Sequence, residues 1–142
     1  MKTSFKVDIG NNLRKNLNMI NENVLKNIKG MIIQSCQVDI ESVAKNKLTT
    51  KQHVVTGRLR ASIHTRYANY NNTHGYRNLL GESFNDRLKI KPIANSTYFE
   101  AYVGTSVNYA GKIERLDAYL YPSFLTATRD LKKNIKRYLK NL

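Results

Sequence analysis

Val54-Val55-Thr56-Gly57-Arg58-Leu59-Arg60-Ala61-Ser62-Ile63-His64-Thr65-Arg66-Tyr67 is where the sequence changes its period. Upstream, apolar residues recur every three or four positions; from Leu59 onward they alternate. Leu59, Ala61, Ile63 and Thr65 fall on one side, and Arg58, Arg60, Ser62, His64 and Arg66 on the other. That pattern predicts a strand over Leu59–Tyr67 with His64 on its exposed face. Gly57 supplies the turn before it, because glycine tolerates backbone angles that other residues avoid. A long helix that gives way to strands, with a second helix at the far end, is an α+β arrangement.

The upstream helix is expected from residue 11 to about 45. Leu13, Leu17, Ile20, Val24, Ile28, Met31, Ser35 and Val38 mark its apolar stripe, and Asn11 or Asn12 can cap its start. A straight helix of that length would measure about 50 Å at 1.5 Å per residue. A compact chain of this size has a radius of gyration of only about 14–15 Å. The helix therefore bends near Gly30 or projects onto another subunit. Lys45–His53 is polar and reads as a loop.

Downstream, residues 69–87 are rich in Asn, Gly and Tyr without a clean period, and read as a long loop. Leu88–Ala94 and Tyr98–Gly104 read as two further strands joined at Asn95–Ser96. Val107–Glu114 reads as a short helix and Leu116–Tyr121 as a loop. Pro122 suits the first turn of a last helix running to Leu142. In that helix Phe124, Leu131, Ile135, Tyr138 and Leu142 share the inner face. Arg129, Lys133 and Arg137 form one outer stripe, and Lys132, Lys136 and Lys140 its neighbour. The expected fold is α+β: a long N-terminal and an amphipathic C-terminal helix on a small, mainly antiparallel sheet of three or four strands. With 142 residues there is room for one core, so residues 1–142 read as one domain.

Composition narrows the function classes. Lys and Arg number 24 against 10 acidic residues, a formal net charge of +14, so a polyanionic partner competes with a merely solvated basic face. The single cysteine, Cys36, excludes a disulfide framework and a cysteine-based zinc site within one chain, and reads as a small buried hydrophobe. No apolar run reaches a membrane-spanning length, and the first ten residues lack a signal-peptide core. His53, His64 and His74 show no metal-ligand spacing, and no carboxylate pair or phosphate-binding glycine loop is present. No cofactor, metal or enzymatic activity is expected. A ribonuclease-like use of His53 and His64 is the distant enzymatic alternative. Nine tyrosines occur without any Trp, and Tyr70, Tyr76 and Arg77 in the long loop suit a protein interface.

Three segments, in this order, resemble the head–tail joining or tail-completion proteins of long-tailed bacteriophages. Val55-Thr56-Gly57-Arg58-Leu59-Arg60-Ala61-Ser62-Ile63 is similar to the family's V-x-T-G-x-L-R-x-S-I. Val103-Gly104-Thr105-Ser106-Val107-Asn108-Tyr109-Ala110, continuing to Ile113-Glu114, is similar to V-G-T-x-V-x-Y-A-x-x-x-E. Pro122-Ser123-Phe124-Leu125-Thr126-Ala127 is similar to P-F-L-x-x-A. After Glu114 the chain departs from the family, with Arg115-Leu116-Asp117 in place of an aromatic-Gly-Thr.

The resemblance implies a ring-forming neck component of the virion, assembled in the host cytoplasm. Its partners would be copies of itself, other neck proteins, the portal and the tail tube or terminator, with packaged double-stranded DNA as a further candidate. Thr56, Gly57, Gly104, Thr105 and Pro122 would be scaffold turns, with Thr105 or Ser106 capping the short helix. Tyr109 and Glu114 would join the subunit interface. Arg129, Lys132, Lys133, Lys136, Arg137 and Lys140 would face DNA or a neighbouring ring. A monomeric, non-specific nucleic-acid-binding protein using the same basic helix is the alternative from another class.

Overall fold

The first helix and the sheet meet through an irregularity that no residue pattern announced. The computed structural model describes residues 3–8, 22–51, 57–68, 75–85, 87–88, 90–95 and 99–142. One helical rod runs through α1 (Glu22–Gln34), a π-helical segment π1 (Ser35–Ser42) and α2 (Val43–Thr50). Its buried apolar residues are Val24, Ile28, Ile32, Cys36, Ile40, Ala44 and Leu48, a step of four, with Ser35 buried beside Cys36. Four residues of an α-helix turn the chain by slightly more than a full circle, so such a stripe drifts steadily around the rod. The wider i→i+5 turn of π1 rotates it back and keeps it facing the sheet. The hydroxyl of Ser42 follows the same wide spacing and donates to the Gln37 carbonyl at 3.1 Å.

This corrects three expectations. The rod continues through Lys45–Thr50, where a loop was expected, because Ala44 and Leu48 extend the buried stripe. Gly30 lies in regular helix, and the irregularity comes at π1. Val38 is exposed and Met31 only half-buried, since the stripe passes through Ile32 and Cys36. Leu13, Leu17, Ile20 and the Asn11/Asn12 cap lie outside the described residues.

The main sheet has the order β1–β5–β2, antiparallel throughout, with β1 (Thr3–Asp8), β2 (His64–Tyr67) and β5 (Glu100–Thr105). Thr3 pairs with Thr105 and Asp8 with Glu100; His64 pairs with Gly104 and Tyr67 with Ala101. β1 was not foreseen. It makes β5 the central strand, and Ala101 and Val103 join the core beneath the rod. A two-stranded hairpin of β3 (Tyr76–Arg77) and β4 (Ser83–Phe84) occupies part of the expected 69–87 loop. The fold is therefore α+β.

Leu59–Ser62 is helical and not strand: α3 (Arg58–Ser62) precedes β2. Leu59 and Ile63, both buried, lie four apart, and either period accommodates them. The polar covering of the sheet also differs from expectation. Among the described residues of 88–94 the pairing is one bridge, Ala94 with Phe99. This segment lies over the face carrying His64, Arg66 and Tyr102: Arg66 Nη1 donates to the Leu88 carbonyl at 3.1 Å, and Ile93 N–H to the Glu100 carboxylate at 3.2 Å. His64, expected on an exposed face, is buried.

α4 (Ala110–Leu116) and α5 (Tyr121–Lys140) complete the chain. The Lys51–Asp117 ion pair holds the far end of the rod to the corner between them. Asn27 Nδ2 donates to the Tyr138 hydroxyl at 2.8 Å near the other end. α5 therefore runs back antiparallel along the rod. Ser123, Ala127, Leu131 and Ile135 are buried, Phe124 and Tyr138 half-buried. Leu142 is 66% exposed, beyond the helix end and off the expected inner face.

Candidate interaction surfaces and the motif scaffold

The described motif residues first serve the scaffold. Gly57 has φ +76°, the left-handed region, and is buried at the start of α3. A Cβ there would sit 2.9 Å from Cγ of the exposed Leu79, a side chain that can move aside, so the backbone angle is what calls for glycine. Ser62 Oγ donates to the Leu59 carbonyl at 2.7 Å. Its one proton is thereby used, so the Thr105 hydroxyl donates to Ser62 Oγ at 2.5 Å. Thr105 Oγ1 in turn accepts from Val107 N–H at 3.1 Å. This buried relay ties the first motif to the second. Thr105 thus shapes the turn ahead of α4 and does not cap the helix: the cap position is Tyr109, without a side-chain cap bond.

Glu114 joins the second motif to the third. Its Oε2 accepts from Tyr119 and Leu120 N–H at 3.0 Å each, and Oε1 from Tyr121 N–H at 2.8 Å. These amides precede and open α5, where Pro122 in the first turn has no N–H to satisfy. A carboxylate also suits the positive end of the helix. Glu114 is therefore an internal cap for α5.

Glu41, on π1, accepts from both the N–H and the hydroxyl of Thr65 at 2.8 Å, and from Lys45 at 2.7 Å. β2 is an edge strand, and Glu41 covers one of its outward N–H groups.

Of the expected interface residues, Tyr76 is buried, stacked on Phe84 at 5.9 Å with Arg87 5.5 Å above its ring. Arg58 lies 4.1 Å over the Phe84 ring, so the hairpin docks on α3. Arg77 is exposed and Tyr109 partly so. Thr56, Tyr70, His53 and His74 lie outside the described residues.

The buried reactive groups are shielded ones. Burial pushes the Cys36 thiol up to about 12, with Glu41 and Asp39 adding to it. Burial holds the His64 imidazole below its ordinary 6.5, with Arg87 and Arg66 lowering it further against the Ser62 carbonyl and Glu41. Among the described residues, no group of three or more His, Cys, Asp and Glu side chains is placed to hold a metal ion. No described helix is long and apolar enough to cross a membrane.

Among the described residues, exposed apolar side chains include Val38, Val43 and Ile93, and three further surfaces bear on binding. Leu79 and Leu80 form the hairpin tip at 64% and 71% exposure. The Asn78 side chain builds that turn, its Oδ1 accepting from Leu80 and Glu82 N–H. Leu116, at the end of α4, and Tyr121 and Leu125, on the first two turns of α5, flank the corner that Glu114 holds, all at least half exposed. The outer face of α5 from Arg129 onward carries Lys132, Lys133, Lys136, Arg137 and Lys140, all exposed. The sequence stripe placed these six cations on the outside; neither apolar group was foreseen, because exposure of a leucine has no local signature. No family model, curated protein or solved structure matches this chain.

Proposed function

We propose that the chain is a structural subunit of a tailed-phage neck, closing a ring at the junction of head and tail, with no catalytic role. The observation that carries this reading is the pair of separate exposed apolar groups, Leu79–Leu80 on the hairpin and Leu116, Tyr121 and Leu125 at the α4–α5 corner. A ring closes through head-to-tail contacts, which join two different patches of one subunit. The resemblance of the three motifs supports the same reading: Gly57, Ser62, Thr105 and Glu114 act within the fold, as residues shared for architecture would.

The experiment is a mixing test. Leu79→Asp with Leu80→Asp breaks one side of the joint; Tyr121→Glu with Leu125→Glu breaks the other. Each variant alone is expected to remain monomeric. Mixed, each supplies the side the other lacks, and a one-to-one heterodimer is expected by native mass measurement. Two variants that stay monomeric together, beside a monomeric parent, overturn the proposal.

A further inference from the structure

We infer that the outer face of α5, from Arg129 to Lys140, is a binding surface for the phosphate backbone of double-stranded nucleic acid, read without regard to sequence. This inference rests on the face itself and holds for a monomer as well as for a ring. The face presents Arg129, Lys132, Lys133, Lys136, Arg137 and Lys140, all exposed, together with Asn134 and Asn141. Asp130 is its one carboxylate, 3.6 Å from Arg129. Leu131 and Ile135 turn into the core, and Tyr138 is tied to Asn27 by its hydroxyl.

The composition of the face decides between a protein and a nucleic-acid partner. A protein interface is depleted in lysine and built around a buried aromatic or aliphatic anchor. Between Arg129 and Lys140 the exposed side of α5 has no such anchor; the exposed apolar residues Tyr121 and Leu125 lie on its first two turns. Phosphate contacts need only cations and donors, which supply affinity and register but no base specificity. Arg129 to Lys140 spans about 16 Å at 1.5 Å per residue. A duplex carries one phosphate charge per 1.7 Å or so of axis, so about ten lie within that span and six cations do not lack partners. Arg137 and Lys140 also favour the negative end of α5, but Lys132, Lys133 and Lys136 lie too far back for that to account for them.

The test uses the full chain and a labelled duplex of random sequence in fluorescence anisotropy, titrated with salt. The variant Lys132→Gln/Lys136→Gln/Lys140→Gln keeps helix propensity and removes three charges. Its log affinity is expected to fall less steeply with log salt, by about 2.7 in slope, if each lysine neutralises one phosphate. A control that removes the same charge elsewhere, Lys47→Gln/Lys91→Gln/Lys112→Gln, should keep a slope near the parent's. Two unrelated duplex sequences should bind within about twofold. Circular dichroism of both variants reports the fold. Equal slopes for variant and control overturn the inference. Equally tight binding of polyglutamate would overturn it too, by assigning the face to an acidic protein surface.

Discussion

The hydroxyl of Thr105 donates to Ser62 Oγ in the interior, 43 residues away along the chain, and accepts from Val107 N–H. Through this bond the end of α3 and the end of β5 fix one another. Ser62→Ala removes the acceptor and leaves the buried Thr105 hydroxyl without it, at about 1–3 kcal/mol. The double variant Ser62→Ala/Thr105→Val is expected to lose less than the sum of the two single changes, because no orphaned hydroxyl remains. Chemical denaturation of the four proteins measures that coupling.

At Gly57 the φ of +76° lies in the left-handed region. Gly57→Val strains it and should lower stability by about 1–3 kcal/mol. Gly57→Asn should be milder, since Asn enters the left-handed region more readily. Melting temperatures in the order parent, Asn, Val check this.

Glu114→Ala removes the acceptor from three backbone amides at the start of α5. Tyr119 and Leu120 are buried there, so water replaces the carboxylate poorly. A loss of about 2 kcal/mol or more is expected, as for charged hydrogen bonds. Faster amide exchange at Tyr119 to Tyr121 would locate the effect.

His64 makes the fold sensitive to acid. Its imidazole is held below 6.5 chiefly by burial, so between that lowered value and 6.5 the unfolded chain binds more protons. Stability from this group is full above pH 6.5 and is lost as pH falls through the folded-state value. His64→Gln should flatten this part of the acid limb. The slope of unfolding free energy against pH, measured by urea titration for parent and variant, reads the difference directly.

Much of this was legible in the residues. The amphipathic period of α5 placed Leu131 and Ile135 inward and its six cations outward, because a helix partly buried on one side enforces that spacing. The rod was legible as far as Ile28. Beyond it, Ser35 is buried as expected, but Ile32, Cys36 and Ile40 carry the apolar stripe and Val38 is exposed; a π-turn leaves no local mark in composition. Over Leu59–Ser62 an alternating pattern and a four-residue step coincide, and packing selected the helix. Alternation also cannot reveal that Leu88 and Ile93 bond to the second face of the sheet or that His64 on it is buried. The work of Glu114 was hidden for a similar reason: its partners are backbone amides, which any sequence supplies.

The proposed ring is tested by the native mass of the purified parent protein over rising concentration. A single closed oligomer of fixed subunit number is expected, which the hairpin variant Leu79→Asp/Leu80→Asp reduces to monomers while its circular dichroism is retained. A parent protein that remains a monomer at every concentration, or that adds subunits without limit, would contradict it.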